Sequence, residues 1–118
     1  KEALSTLVSA LLCSDAAVQA QAAGCIANLA SDTQAAPRVS SAAAPYLLTF
    51  LGGSYTILQD CAAVALGNLA SNGCCDQLKA MGFLLFAARL LKSPNDYVVQ
   101  SGLFCIHSYT SAAAISSR

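Results

Sequence analysis

Apolar residues recur at three- and four-residue intervals along almost the whole chain. Between Glu2 and Cys13, Leu4, Leu7, Val8, Leu11 and Leu12 fall on one stripe, the spacing of a helix with one buried face. Ser14-Asp15 offers a capping group for a second helix, which carries Val18, Ala22, Cys25, Ile26 and Leu29 on one side and Ala20, Gly24, Ala27, Asn28 and Ser31 on the other. The polar, Pro37-containing stretch from Asp32 to Ser41 reads as a turn with at most one short helix. A helix over Ala43 to Leu51 follows, with Pro45 in its first turn and Gly52-Gly53-Ser54 ending it. A long helix from Thr56 to Ser71 then points Leu58, Ala62, Ala65, Leu66 and Leu69 inward, and Asp60, Val64, Gly67, Asn68 and Ser71 outward. Beyond the Asn72-Gly73 turn comes a short helix through Asp76 and Leu78. A medium helix opens at Gly82 with Leu84, Ala87, Ala88 and Leu91, and a last long one runs from about Asn95 to Ser111, with Ala112 to Arg118 expected to fray.

The pattern repeats. Gly24-Cys25-Ile26-Ala27-Asn28-Leu29-Ala30-Ser31 has a near copy forty positions later in Val64-Ala65-Leu66-Gly67-Asn68-Leu69-Ala70-Ser71, and a weaker one in Phe104 to Ser111. Val18, Leu58 and Val98 fall in the same register, as do Leu11, Leu51 and Leu91. A fixed period of this length without gaps marks stacked helical units, each leaving an apolar face that only a neighbour can cover. The expected division is a partial unit over 1–31, full units over 32–71 and 72–111, and a tail over 112–118. The fold class is all-α.

Composition narrows the function. Only 10% of the 118 residues are charged, against the quarter or so usual in soluble domains, and the formal net charge is zero with no run of either sign. A nucleic-acid binder draws much of its affinity from a basic stripe, so that class is set aside, as is an anionic membrane surface. Pro45, Gly52-Gly53 and interspersed Ser, Thr and Gln interrupt the uncharged stretches, so no membrane span is expected. No leader-like segment is expected, because Lys1-Glu2 leads directly into the first helical stripe. Six cysteines could form a disulfide framework, but Cys25 and Cys105 share one register position with Ala65, where Cys acts as a small core residue. The expectation is six free thiols in a reducing, cytoplasmic compartment, compatible with nuclear entry. Cys74-Cys75, in the turn, are expected to be the most accessible.

A three-helix unit of some forty residues, short, medium and then long, whose long helix ends in Asn-Leu-Ala, resembles the armadillo repeat. The residues carrying the likeness are Gly82, Leu84, Ala88 and Leu91 in the medium helix, and Leu58, Ala62, Ala65, Leu66, Asn68, Leu69 and Ala70 in the long one. The resemblance implies a eukaryotic right-handed α-solenoid whose long helices line a concave groove, where the Asn of each holds the backbone of an extended peptide. That position is filled by Asn28, Asn68 and Ser108, and the one a turn earlier by Gly24, Val64 and Phe104. Asp60, Gln100 and His107 complete the candidate partner-binding set. An Asn amide has both donor and acceptor and can satisfy one peptide unit. The implied function is a protein-interaction scaffold for a protein or peptide. The alternatives are a nuclear-transport-type receptor for peptide signals, or the substrate-binding or regulatory arm of a larger enzyme such as a ubiquitin ligase. Import receptors carry Trp where this chain has Gly24, Val64 and Phe104, and without it the stacking of Lys stems is mostly lost.

Chemistry of its own is not expected. His107, the single histidine, has no nucleophile and acid arranged around it, so it is read as a groove-edge residue and the chain as no enzyme. No Cys or His spacing suits zinc, and no cofactor is expected. Leu4 to Leu12 at one end and Val98 to Tyr109 at the other look like interior units without polar caps. The chain is therefore expected to be a piece of a longer array that self-associates through its ends or is marginally stable alone.

Overall fold

In the computed structural model, which describes residues 2–116, seven α-helices follow one another: α1 (Glu2–Leu11), α2 (Ala16–Ala30), α3 (Ala36–Leu51), α4 (Thr56–Leu69), α5 (Cys75–Ala80), α6 (Phe83–Leu90) and α7 (Asp96–Ser116). No strand occurs among the described residues. Helices α2, α4 and α7 pack side by side in chain order, as do α1, α3 and α6, and each member of one row pairs with the next helix in the other: α1 with α2, α3 with α4, α6 with α7. The overall dimensions of 41 × 37 × 20 Å match two such rows, since the short axis is about two helix diameters.

Local chemistry sets the helix ends. The Asp15 carboxylate accepts from the amides of Ala17 and Val18, capping α2 as expected. Asn95 does the same for α7 through the Tyr97 amide. Gln19 donates to the Leu11 carbonyl at the end of α1, and Gln59, forty positions on, donates to Leu51 and Gly53 at the end of α3. One residue type at one register position thus ties α2 and α4 to the end of the helix before each; the same position in α7 is Val99.

The two forty-residue stretches differ in their first halves. Gly82 sits at φ +80° and splits α5 from α6. Ala42, its counterpart, has a Cβ that disfavours such a conformation. There the chain runs as one helix from Ala36 to Leu51, not a turn plus a shorter helix from Ala43. Pro45 consequently lies inside α3, not in its first turn. Gly73, at φ +95°, ends the π-type turn Ala70–Cys74 after α4. Its counterpart in α7 is Ala113, and α7 continues to Ser116 in place of the expected stop at Ser111. The rest of the expected frayed tail, 117–118, lies outside the described residues.

Burial follows the register with a systematic exception at each end. Val18 is 44% exposed, whereas Leu58 and Val98 are 7% and 5% exposed. Cys25 is exposed, while Ala65 and Cys105 are fully buried. This corrects the expected inward face of α2. Ala22 and Ile26 are buried as expected, but Ala20 and Ala27, expected outward, are buried with them, as are Ala23 and Ala30, because α4 and α3 cover that side. At the other end the order reverses: Ala23 and Ala63 are fully buried and Leu103 is 52% exposed. Leu84 and Leu91 are exposed where Ala44 and Leu51 are buried, and Ala88 is exposed where Leu48 is buried. The flank of α2 and α1 turned away from α4 and α3 is therefore open, and so is the flank of α7 and α6 turned away from α4 and α3.

Candidate interaction surface

The candidate residues stand on the outer side of the row formed by α2, α4 and α7, where helical spacing puts positions 60, 64 and 68 of α4 in line. Between α4 and α7 lies a cavity of about 120 Å³ lined by Asp60, Val64, Tyr97, Gln100, Ser101 and Phe104. Asp60 accepts a hydrogen bond from Ser101 Oγ at 2.6 Å, with Tyr97 Oη at 3.5 Å. Its charge is thus engaged by α7 at the cavity edge. Phe104 leans toward α4: a Cβ built on Gly67 would fall 2.7 Å from its Cε2 and 3.3 Å from Ser108 Oγ. Gly67 is therefore buried, although the sequence places it outward.

Four of the nine residues, Asp60, Val64, Gln100 and Phe104, meet in that cavity. His107, which is exposed, and Ser108 line an adjoining groove with Ser71, Gly73 and Ile115. Asn28 is exposed and lies apart, in an apolar groove it shares with Leu7, Cys25 and Leu29. Gly24 is half-buried, with no atom within 4 Å of where a Cβ would stand.

Asn68 has a defined structural role. Its Nδ2 donates to the Ala27 carbonyl at 2.8 Å, and Asn72 Nδ2 donates to Ala30 at 3.2 Å. Asn28 and Leu29 carbonyls are taken by the amides of Ser31 and Asp32. All four carbonyls that α2 leaves free at its C-terminus are thereby satisfied, two of them from the end of α4. Thr33 Oγ1 bonds Asn72 Oδ1 and closes the corner. A peptide unit bound by Asn68 would share an amide group already committed to α2. The sequence signal was available in the identical Asn positions, but the partner carbonyl becomes visible only when the helices are side by side.

The cysteine pair is the opposite of the expectation. Cys74 and Cys75 are buried, at 3% and 8% exposure. The turn folds back under α3 and α7, and Cys75 Sγ points at the carbonyls of Ala70 and Tyr109. Burial pushes both thiols above their ordinary pKa, and Cys61 likewise. Cys105, in the core, is pushed up to about 12 for the same reason. Such thiols are poor nucleophiles. Among the described residues no three His, Cys, Asp or Glu side chains gather in a way that would hold a metal, and no helix is long and apolar enough to cross a membrane.

The sequence missed one concavity: a groove of about 650 Å³ between α1 and α3, lined by Leu4, Ser5, Val8, Pro37, Arg38 and Ser41. It lies in the other row of helices, and no single-helix pattern encodes it.

No protein-family model matches the chain, and no curated protein matches it significantly. Among solved structures it is similar to an engineered protein of the Northeast Structural Genomics Consortium, with TM-score 0.79 and 27% identity over 94% of this chain and 52% of that one. A second engineered protein of the same consortium gives TM-score 0.81 at 23% identity, covering 94% of this chain and 51% of that one, a likeness of fold alone. The chain spans about half the length of both.

Proposed function

We propose that this chain is a segment of armadillo-type repeats in a right-handed solenoid, serving as a protein-interaction scaffold that takes an extended peptide or partner segment along α2, α4 and α7. The observation that carries the reading is the row itself: three long helices side by side, with positions 24, 64 and 104 in one register and a cleft between α4 and α7 lined by Val64, Phe104, Asp60 and Gln100. The short, medium and long order of α5, α6 and α7 supports the repeat assignment. The fusion of the first two helices into α3 is a local departure caused by Ala42.

The cleft favours an uncharged ligand. Its one carboxylate is held by Ser101, and Val64 with Phe104 supplies apolar wall, so an aliphatic or aromatic anchor suits it better than a lysine. On this reading the protein is cytoplasmic, where six free thiols persist. Selection of a displayed random peptide library on the chain, followed by amide chemical-shift mapping of the selected peptides, tests it. Shifts clustering at Asp60, Val64, Gln100 and Phe104 are expected. Shifts confined to the α1/α3 groove, or no selected peptide at all, would remove the proposal.

A further inference from the structure

The groove between α1 and α3 owes its size to the continuous helix α3. It lies between two neighbouring units, and the same register positions form a second groove where α3 meets α6: Ser5, Val8 and Ser41 correspond to Pro45, Leu48 and Met81. The second groove has about 310 Å³ against about 650 Å³ in the first. The two differ at one register position. Leu78, on α5, is fully buried, whereas its counterpart Arg38 is exposed and lines the first groove. Gly82, at φ +80°, frees α5 from the rotational phase of α6, so Leu78 can turn into the core. No break interrupts α3, and the phase set by Ala43, Ala44 and Leu47 buries Val39 and leaves Arg38 outside. Residues 36–41 line no part of the second groove, so a helix standing before α1 in the same register leaves the first one open.

Charge and length define what fits there. Among the described residues Arg38 forms no ion pair and no side-chain hydrogen bond, and the exposed hydroxyls of Ser5 and Ser41 are likewise uncommitted. The first turn of α3 holds no acidic residue, so the helix dipole adds to the positive potential of the guanidinium. A guanidinium matches a carboxylate as a two-pronged donor, and two hydroxyls can donate to its remaining lone pairs. The apolar walls are short: Leu4 to Val8 covers about 6 Å of α1, and Pro37 to Ala42 about 7.5 Å of α3, at the helical rise per residue. One or two fused rings match that length, and a long aliphatic chain overruns it. We propose that the α1/α3 groove binds a small free aromatic carboxylate, its ring against Leu4, Val8 and Pro37 and its carboxylate on Arg38, Ser5 and Ser41. The groove volume of about 650 Å³ lies within the range of small-ligand pockets. The site is in the opposite row of helices from the α4/α7 cleft, so it stands or falls independently of peptide binding there.

Amide chemical-shift titration of the 118-residue chain with 2-naphthoate tests it, with circular dichroism confirming that each variant folds. The comparison probes are 2-naphthamide, which keeps the rings and loses the charge, and a short peptide ending in phenylalanine with a free carboxylate. Saturable shifts at residues 4–8 and 37–42 are expected with 2-naphthoate, weakening as salt is added. Affinity should fall at least about tenfold for 2-naphthamide, and by a similar factor for 2-naphthoate on Arg38→Gln. Ser5→Trp replaces an exposed residue, covers the groove and leaves the cation in place, so it should abolish the shifts. The proposal is overturned by an absence of saturable shifts, by equal affinity for the amide, or by unchanged affinity in either variant. Shifts centred on Leu7, Cys25 and Leu29, the neighbouring apolar groove without a cation, would also overturn it. So would a peptide bound at least about tenfold more tightly than 2-naphthoate, which would assign the groove to a protein C-terminus instead.

Discussion

Two helical glycines show how far the surroundings of a residue outweigh its type. At Gly24 an added Cβ meets nothing within 4 Å, so Gly24→Ala should stabilise the protein by about 0.5–1 kcal/mol through the better helix propensity of Ala. At Gly102 the same Cβ would lie 2.8 Å from Leu90 Cβ and 3.4 Å from the Ala87 carbonyl, where α6 and α7 touch and nothing can swing aside. Gly102→Ala should therefore destabilise by about 1–3 kcal/mol despite the same propensity gain, and urea titrations of the two variants under dilute conditions will separate them. The thiols divide in the same way. Cys25 is exposed and should be alkylated by iodoacetamide well before Cys74, Cys75 and Cys105, as read by peptide mass spectrometry. Cys105, at about 12, keeps its proton in the folded protein after an unfolded chain has lost it. Its contribution to stability is thus fully present below the ordinary thiol pKa of 9.0 and declines as the pH rises toward 12. The unfolding midpoint should fall over that range, and Cys105→Ala should flatten the fall.

Helices end here according to what they can reach. The C-terminus of α2 is completed by Asn68 and Asn72, and Asn68→Ala should cost about 1 kcal/mol by leaving the Ala27 carbonyl without its donor. Measured by denaturation of the free chain, this loss is a structural effect and separates that role of the Asn from any peptide contact. The α5/α6 break depends on Gly82 at φ +80°, a conformation that costs a residue with a Cβ about 1 kcal/mol or more. Its helices were legible from the spacing of Leu84, Ala87 and Leu91. The fusion of α3 was not, because Pro37 and Pro45 read as boundaries; Pro37 fits once the helix begins at Ala36, while Pro45 is carried in the helix interior without the amide hydrogen that would bond the carbonyl one turn back. In the same way the Ala112-Ala113 extension of α7 follows from propensity, although the forty-residue register calls for a turn there.

Across the whole molecule, coverage falls from the middle outward. Helices α3 and α4 have neighbours on both flanks, while α1 with α2 and α6 with α7 each have one flank open. Stability should be graded accordingly, because local opening is governed by how much packing it must break. Amide hydrogen exchange of the dilute chain should be slowest in α3 and α4 and faster in α1, α2 and the far end of α7. Uniform protection along the chain would contradict this gradient.

The alternation of apolar and polar positions was sufficient, taken alone, to establish the all-helical class, the forty-residue period, the Asp15 cap and the buried stripe of α4, because these depend on interactions within one helix or on a period that every unit shares. Which candidate residues meet was decided in three dimensions. Asp60, Val64, Gln100 and Phe104 share a cleft, Asn68 is bound to Ala27, Cys74 and Cys75 are buried, and Cys25 is exposed. Each of these outcomes depends on whether a neighbouring helix stands beside the position. That is a property of the order in which the helices pack, and equivalent residues in different units experience it differently.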